Sequence, residues 1–220
     1  MKSWWKNNYL WVSVYMLALV GSITVLVLFE KQTIHLSINK LNNGFFDGFF
    51  KVVTEFGAFP FIAALTVATL FFRFRIALTA IASSLFAVVL TQFGKRVIWP
   101  DSPRPKVLFS GLDSFHVVEG VHLHSTHSFP SGHTSGAFAL FLVLILYTKS
   151  PCLKVLFLLA ALLVAYSRMY LSQHFLIDVT AGSFIGLISA LLAYWWLNSP
   201  ARKGNGNLDK RIRLSRPWIG

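Results

Sequence analysis

Six apolar blocks, residues 10–29, 60–72, 76–93, 136–147, 153–166 and 175–197, constrain this chain more than any other feature. A helix rises 1.5 Å per residue, so about 20 apolar residues cross a ~30 Å hydrocarbon layer. Several blocks fall short of that, and their ends are expected to continue into polar or aromatic flanks at the interface. Lipid offers no partner to backbone N–H and C=O groups, and the blocks lack the alternation of barrel strands, so helices follow. The predicted fold is all-α: a polytopic membrane protein with a six-transmembrane-helix bundle over residues 1–200 and a basic cytoplasmic tail over 201–220. Only 13% of the residues are charged, against roughly 25% in soluble domains, which excludes an ordinary soluble protein. Lys2 and Lys6 precede the first block as in a signal peptide, but the run is long and no A-x-A site ends it, so it reads as a retained anchor.

Basic residues set the orientation. With the amino terminus inside, six crossings place Lys2, Lys6, Arg73, Arg75, Lys149, Lys154, Arg202, Lys203, Lys210, Arg211, Arg213 and Arg216 in the cytoplasm, 12 of the 20 basic residues. Seven of the eight acids fall on the other side, in accord with the positive-inside rule. The loop 97–130 then lies outside the cytoplasm, and the expected location is a bacterial inner (plasma) membrane with the site facing the periplasm or the outside. Much of the net charge of +12 sits in the tail, with six basic residues against one acid, where anionic lipid is the natural partner; no nucleic-acid-reading motif accompanies it. A single cysteine, Cys152, leaves no internal disulfide or CxxC pair.

Polar residues at the borders of apolar spans are costly and mark function. Three clusters stand there: "GKRVIWPDSPRPK" (94–106), "SFPSGHTSG" (128–136) and "YSRMYLSQHFLID" (166–178). Six crossings put all three on one face of the membrane. His174 and Asp178 are four apart, so a carboxylate can hold one imidazole nitrogen and leave the other as base or nucleophile; alone, the pair reads equally as a satisfied interfacial histidine. Ser131, Gly132 and His133 open the fourth span, where free N–H groups and the helix dipole favour an anion, although Ser131 alone is also an ordinary cap. Lys95, Arg104 and Arg168 supply cations suited to phosphoryl oxygens. Arg96 and Lys106 read as interfacial snorkelling residues. Such a set suits nucleophilic displacement at a tetrahedral oxyanion. The loop histidines His116, His122, His124 and His127 have no closed metal-ligand spacing and read as a polar lid; no metal and no cofactor is expected.

"PSGH" followed by S-R-x5-H-x3-D, here Ser167-Arg168 to His174 and Asp178, resembles the type-2 phosphatidic acid phosphatase superfamily. The family's K-x6-R-P motif is met by Lys95 and Arg104-Pro105 with eight intervening residues; Arg96 is the rival at seven. Pro100 and Pro103 cannot extend a helix, so the insertion is expected to bulge outward and leave Lys95 in place. The resemblance implies that His174 attacks phosphorus with Asp178 orienting it. It implies too that His133 protonates the leaving oxygen, and that Lys95, Arg104, Ser131, Gly132 and Arg168 hold the phosphoryl oxygens. The implied function is a metal-independent phosphatase acting on a membrane lipid phosphate: undecaprenyl diphosphate, phosphatidylglycerol phosphate, phosphatidic acid or a lipid A phosphate. A phosphotransferase using the same intermediate, or a non-enzymatic lipid-phosphate binding or transport protein, are the alternatives.

Overall fold

The computed structural model describes residues 2–202 and 206–212, so the tail expected over 201–220 lies partly outside the described residues. The regular elements among them are all helical: α1 (Lys2–Leu28), α2 (Lys31–Asn39), α3 (Gly44–Glu55), α4 (Phe59–Ala68), α5 (Phe74–Phe93), α6 (Pro105–Phe109), α7 (Gly132–Tyr147), α8 (Pro151–Tyr170) and α9 (Leu176–Leu197). A 3-10 turn, Thr69–Phe71, follows α4, and a π-turn, Gly94–Ile98, extends α5.

Four helical stretches have the length and apolarity of a membrane span: Trp5–Leu28, Phe74–Ile98, Pro151–Tyr170 and Leu176–Leu197. The block at 60–72 is not a straight span of its own. It forms α4 and its 3-10 turn, which meet α3 at 55° and together with it make a fifth candidate. Pro60 opens α4, where a missing N–H costs nothing. Gly57, at the break, presses on α7 and α8: a Cβ there would lie 2.9 Å from the His133 carbonyl oxygen and 2.7 Å from Val164 Cγ1. Asp47, Lys51 and Glu55 interrupt the apolar run of α3, which is why hydropathy alone passes over it.

At 16 residues α7 is shorter than each of the four full-length spans, about 24 Å long at 1.5 Å per residue. It forms the centre of the bundle, packed on α5, α8 and α9, with Ala137 to Val143 almost wholly buried. Gly182 and Gly186 let α9 approach α7 to backbone contact, the small-residue packing that membrane helices use. A Cβ at Gly186 would stand 2.4 Å from Phe138 Cβ, and one at Gly182 would stand 2.8 Å from the Ser131 carbonyl oxygen. This close approach positions the site, because Ser131 N–H donates to the Asp178 carbonyl at 3.0 Å across the same seam.

The opposite end of the bundle is tied by basic residues. Lys154 donates to Asn7 O at 3.0 Å and Asn8 Oδ1 at 2.7 Å, which pins α1 to α8. Arg75 donates to Leu197 O and pairs with both carboxylate oxygens of Asp209, while Lys210 and Leu208 carbonyls accept from the first N–H groups of α5.

Candidate active site

Four elements end at one place: the π-turn after α5, the amino terminus of α7, the carboxyl end of α8 and the loop into α9. Lys95, Arg104, Gly132, His133, Arg168 and His174 line one cavity there of about 590 Å³, together with Gln92, Arg96, His124 and His127. The structure therefore brings six of the eight sequence-predicted residues to a common space. Ser131 and Asp178 stand immediately behind it.

His174 is 2% exposed, and its Nδ1 lies 3.3 Å from Asp178 Oδ2. That oxygen also accepts from Ser128 Oγ at 2.5 Å and from the Phe175 N–H at 2.9 Å. Three donors fix the carboxylate, and the carboxylate fixes the ring, which leaves Nε2 of the imidazole as the nitrogen not held by Asp178. Burial pushes the His174 pKa well below 6.5, with the cations Arg168, Arg104 and Lys95 adding to the effect. The ring is neutral at physiological pH, as a nucleophile must be.

The cations are held by neighbours that orient them. Lys95 Nζ donates to the His127 carbonyl at 2.6 Å. Arg104 donates through Nε to Thr126 O at 3.0 Å and through Nη1 to Gln173 O and Oε1, each at 3.1 Å. Burial lowers the Arg104 pKa, an effect that the nearby Asp178 opposes. Arg168 donates through Nη1 to Thr54 Oγ1 at 2.6 Å, and its buried Nε has no partner among the described residues. Arg96, in contrast, is exposed and bonded to Gln92 Oε1 at 3.1 Å. Lys95 stands in the π-turn, where Trp99 N–H bonds to Gly94 O at 2.9 Å, and is buried at the cavity.

Ser131 is the N-cap of α7. Its hydroxyl oxygen accepts from the Thr134 hydroxyl at 2.9 Å and from the Thr134 N–H at 3.5 Å. Gly132 lines the cavity with His133, and Thr91 Cγ2 is 3.8 Å from where the Gly132 Cβ would be.

The loop histidines do not converge. His116 Nε2 lies 3.0 Å from Asp47 Oδ2, His127 Nδ1 lies 3.0 Å from Thr126 Oγ1, and the His122 and His124 rings are 4.8 Å apart. The loop is nonetheless fastened over the site: carbonyls of His122, Thr126 and His127 accept from Gln173, Arg104 and Lys95.

Sequence reasoning missed Ser128, Gln173 and Thr54. Ser128 stands inside the quoted "SFPSGH" stretch and Gln173 beside His174, so proximity to the motifs was their signal. Thr54 has none, because it comes from α3, far off in sequence.

The PAP2 superfamily model matches residues 73–201. The undecaprenyl-diphosphatase of Sulfolobus acidocaldarius is 27% identical over 193 residues, covering 82% of this chain and 87% of that protein. Among solved structures, LpxE of Aquifex aeolicus superposes with a TM-score of 0.65 at 27% identity, over 73% of this chain and 92% of that one. A transmembrane PAP2-type phosphatidylglycerolphosphate phosphatase from Bacillus subtilis gives a TM-score of 0.60 at 23% identity, over 84% and 94%, a likeness of fold. A family match over more than half of the chain, falling on a cavity lined by the histidines and cations of the three motifs, settles the affiliation: this integral membrane protein belongs to the PAP2 superfamily.

Proposed function

We propose that the protein is a lipid phosphate phosphatase that works through a phosphohistidine. The observation that carries this reading is that His174, braced by Asp178, shares one cavity with His133 and with Lys95, Arg104 and Arg168. In the first step His174 Nε2 forms a bond to phosphorus as the bond to the lipid oxygen breaks, and His133 gives that oxygen a proton. Lys95, Arg104 and Arg168 and the N–H of Gly132 offset the charge on the three equatorial oxygens, with Ser131 completing the same turn. In the second step water attacks phosphorus, His133 takes its proton, and the N–P bond breaks to release inorganic phosphate. Asp178 keeps its proton partner throughout and stabilises the ring while it carries charge.

We place the site at the outer face of a six-crossing bundle, with α3 and α4 as one broken span and α7 as a short internal one. The distribution of charge supports this: Arg73, Arg75, Lys149, Lys154 and Lys210 all stand at the end of the bundle remote from His174. The substrate keeps its chains in the bilayer while its phosphate enters the cavity.

Purified protein should release phosphate from at least one member of a lipid phosphate panel, keep that activity in chelator, and lose it in His174→Ala. Full turnover by His174→Ala would overturn the proposal, and dependence on an added divalent ion would overturn the metal-free route.

A further inference from the structure

Arg104 lines the catalytic cavity, yet most of its guanidinium is already committed to the protein. Nε donates to Thr126 O at 3.0 Å, Nη1 donates to Gln173 O and to Gln173 Oε1, each at 3.1 Å, and Nη2 makes only a long 3.5 Å contact with His127 O. A guanidinium carries five N–H donors in one rigid plane. Holding Nε and both hydrogens of Nη1 therefore fixes that plane. Nη2 is the edge left to meet a phosphoryl oxygen.

Among the described residues these acceptors are main-chain carbonyls with one exception, the side-chain oxygen of Gln173. The carbonyls belong to a braced framework: Arg104 N–H bonds to Ser125 O and Ser128 N–H to Ser102 O, each at 3.0 Å, which ties the two legs of the loop together. Gln173 is 3% exposed; its Nε2 donates to His122 O at 2.8 Å, and its own N–H bonds to Arg168 O at 3.0 Å. One side chain thus joins Arg104, the loop over the cavity and the turn that carries His174. An amide suits this position, because Oε1 orients the guanidinium without cancelling its charge. A carboxylate there would form an ion pair and compete with the phosphate.

We propose that Gln173 is a positioning residue for phosphoryl transfer: it holds Arg104 with Nη2 turned to the cavity and acts through that guanidinium. The inference rests on the phosphatase reading and adds a residue to it. Gln173 falls among the five unspecified positions of S-R-x5-H-x3-D, so the pattern itself gives it no part. A small misplacement of a group that holds the reacting phosphoryl costs rate even where the group itself is kept.

The test is a double-mutant cycle on kcat/KM for one lipid phosphate, followed by release of labelled phosphate, with wild type, Gln173→Met, Arg104→Ala and the double variant. Gln173→Met keeps the length of the side chain and removes both hydrogen bonds of the amide. It should lower kcat/KM about tenfold, the scale for losing a hydrogen bond to a charged group. Added to Arg104→Ala it should cause no further loss, because its action passes through the guanidinium; a residue that only supported the fold would lower both backgrounds alike. Gln173→Asn, which withdraws the amide by one methylene, should show the same dependence on Arg104, and it replaces Gln173→Met in the cycle if melting in detergent shows the latter to be misfolded. A loss of equal size with and without Arg104, or no loss in either variant, overturns the positioning role and leaves the phosphatase reading standing. Absence of phosphate release by wild type, or full turnover by His174→Ala, overturns that reading and the positioning role with it.

Discussion

Ser128 Oγ donates to Asp178 Oδ2 at 2.5 Å, on the same oxygen that faces His174 Nδ1 at 3.3 Å. The hydroxyl thus fixes the carboxylate that orients the proposed nucleophile, from a residue three positions before the N-cap of α7. Ser128→Ala leaves Asp178 with the Phe175 N–H and the imidazole only. Its kcat should fall about ten- to a hundredfold with little change in KM, since the lost contact orients the ring without touching substrate. Steady-state kinetics on one lipid phosphate checks this; a change confined to KM would assign Ser128 to binding.

Lys95 and Arg96 are neighbours in sequence and both line the cavity, but at different depths. Lys95 is 9% exposed and held by a 2.6 Å bond to His127 O, whereas Arg96 is exposed and bonds to Gln92 at the rim. Lys95→Ala should lower kcat by about 10²- to 10³-fold, the scale for losing one donor to a developing oxyanion. Arg96→Ala should stay within about threefold of wild type, as rim charges usually do. The reverse pattern in phosphate-release assays would move the first-motif role to Arg96.

That these residues come together was readable because the proposed chemistry depends on residue type at short spacing: His174 and Asp178 on one helical turn, and Ser131, Gly132 and His133 at one N-cap. The burial of Lys95 at the cavity agrees with the reading from Pro100 and Pro103, which exclude a longer regular helix, although the π-turn that carries Lys95 has no sequence signature. The first half of the bent span was hidden by Asp47, Lys51 and Glu55, whose charges break the apolar run of α3. Those charges face the loop and the cavities: Asp47 accepts from Tyr170 at 2.6 Å and Lys51 donates to Glu119 O at 3.1 Å. Long-range supports such as Thr54 under Arg168 depend on tertiary packing, which spacing along one chain does not encode.

Gly186 should be among the least replaceable residues of the bundle. A Cβ there meets Phe138 Cβ at 2.4 Å, Ser135 O at 2.7 Å and Ala139 N at 2.9 Å, so even alanine forces α9 away from α7. Overpacking of this kind costs about 1–3 kcal/mol, against a helix-propensity gain of about 1 kcal/mol for Gly→Ala. Gly186→Ala should lower the melting temperature in detergent. Gly21→Ala on α1, with nothing within 4 Å, should leave it level or raise it. Activity should fall with the first substitution only, because the α7–α9 seam carries the Ser131–Asp178 contact.

The depressed pKa of His174 fixes the sign of a pH effect. Burial and the three nearby cations disfavour its protonated form, so the folded pKa lies well below the 6.5 of an exposed histidine. The proposed nucleophile therefore stays neutral as pH falls through 6.5, and the free-enzyme profile of kcat/KM should show no acid-side loss near that value from this group. Stability behaves differently. Between 6.5 and the folded pKa the unfolded chain binds a proton that the folded one refuses, so the folded state loses stability progressively as pH drops below 6.5. In wild type, pH titration of activity and of melting temperature should separate, with stability declining first. In Asp178→Asn the activity should already be low at pH 7, because an amide no longer holds the imidazole in the orientation attack requires. A wild-type kcat/KM step near 6.5 that moves upward when Lys95 or Arg104 is replaced would show instead that His174 titrates as an exposed group.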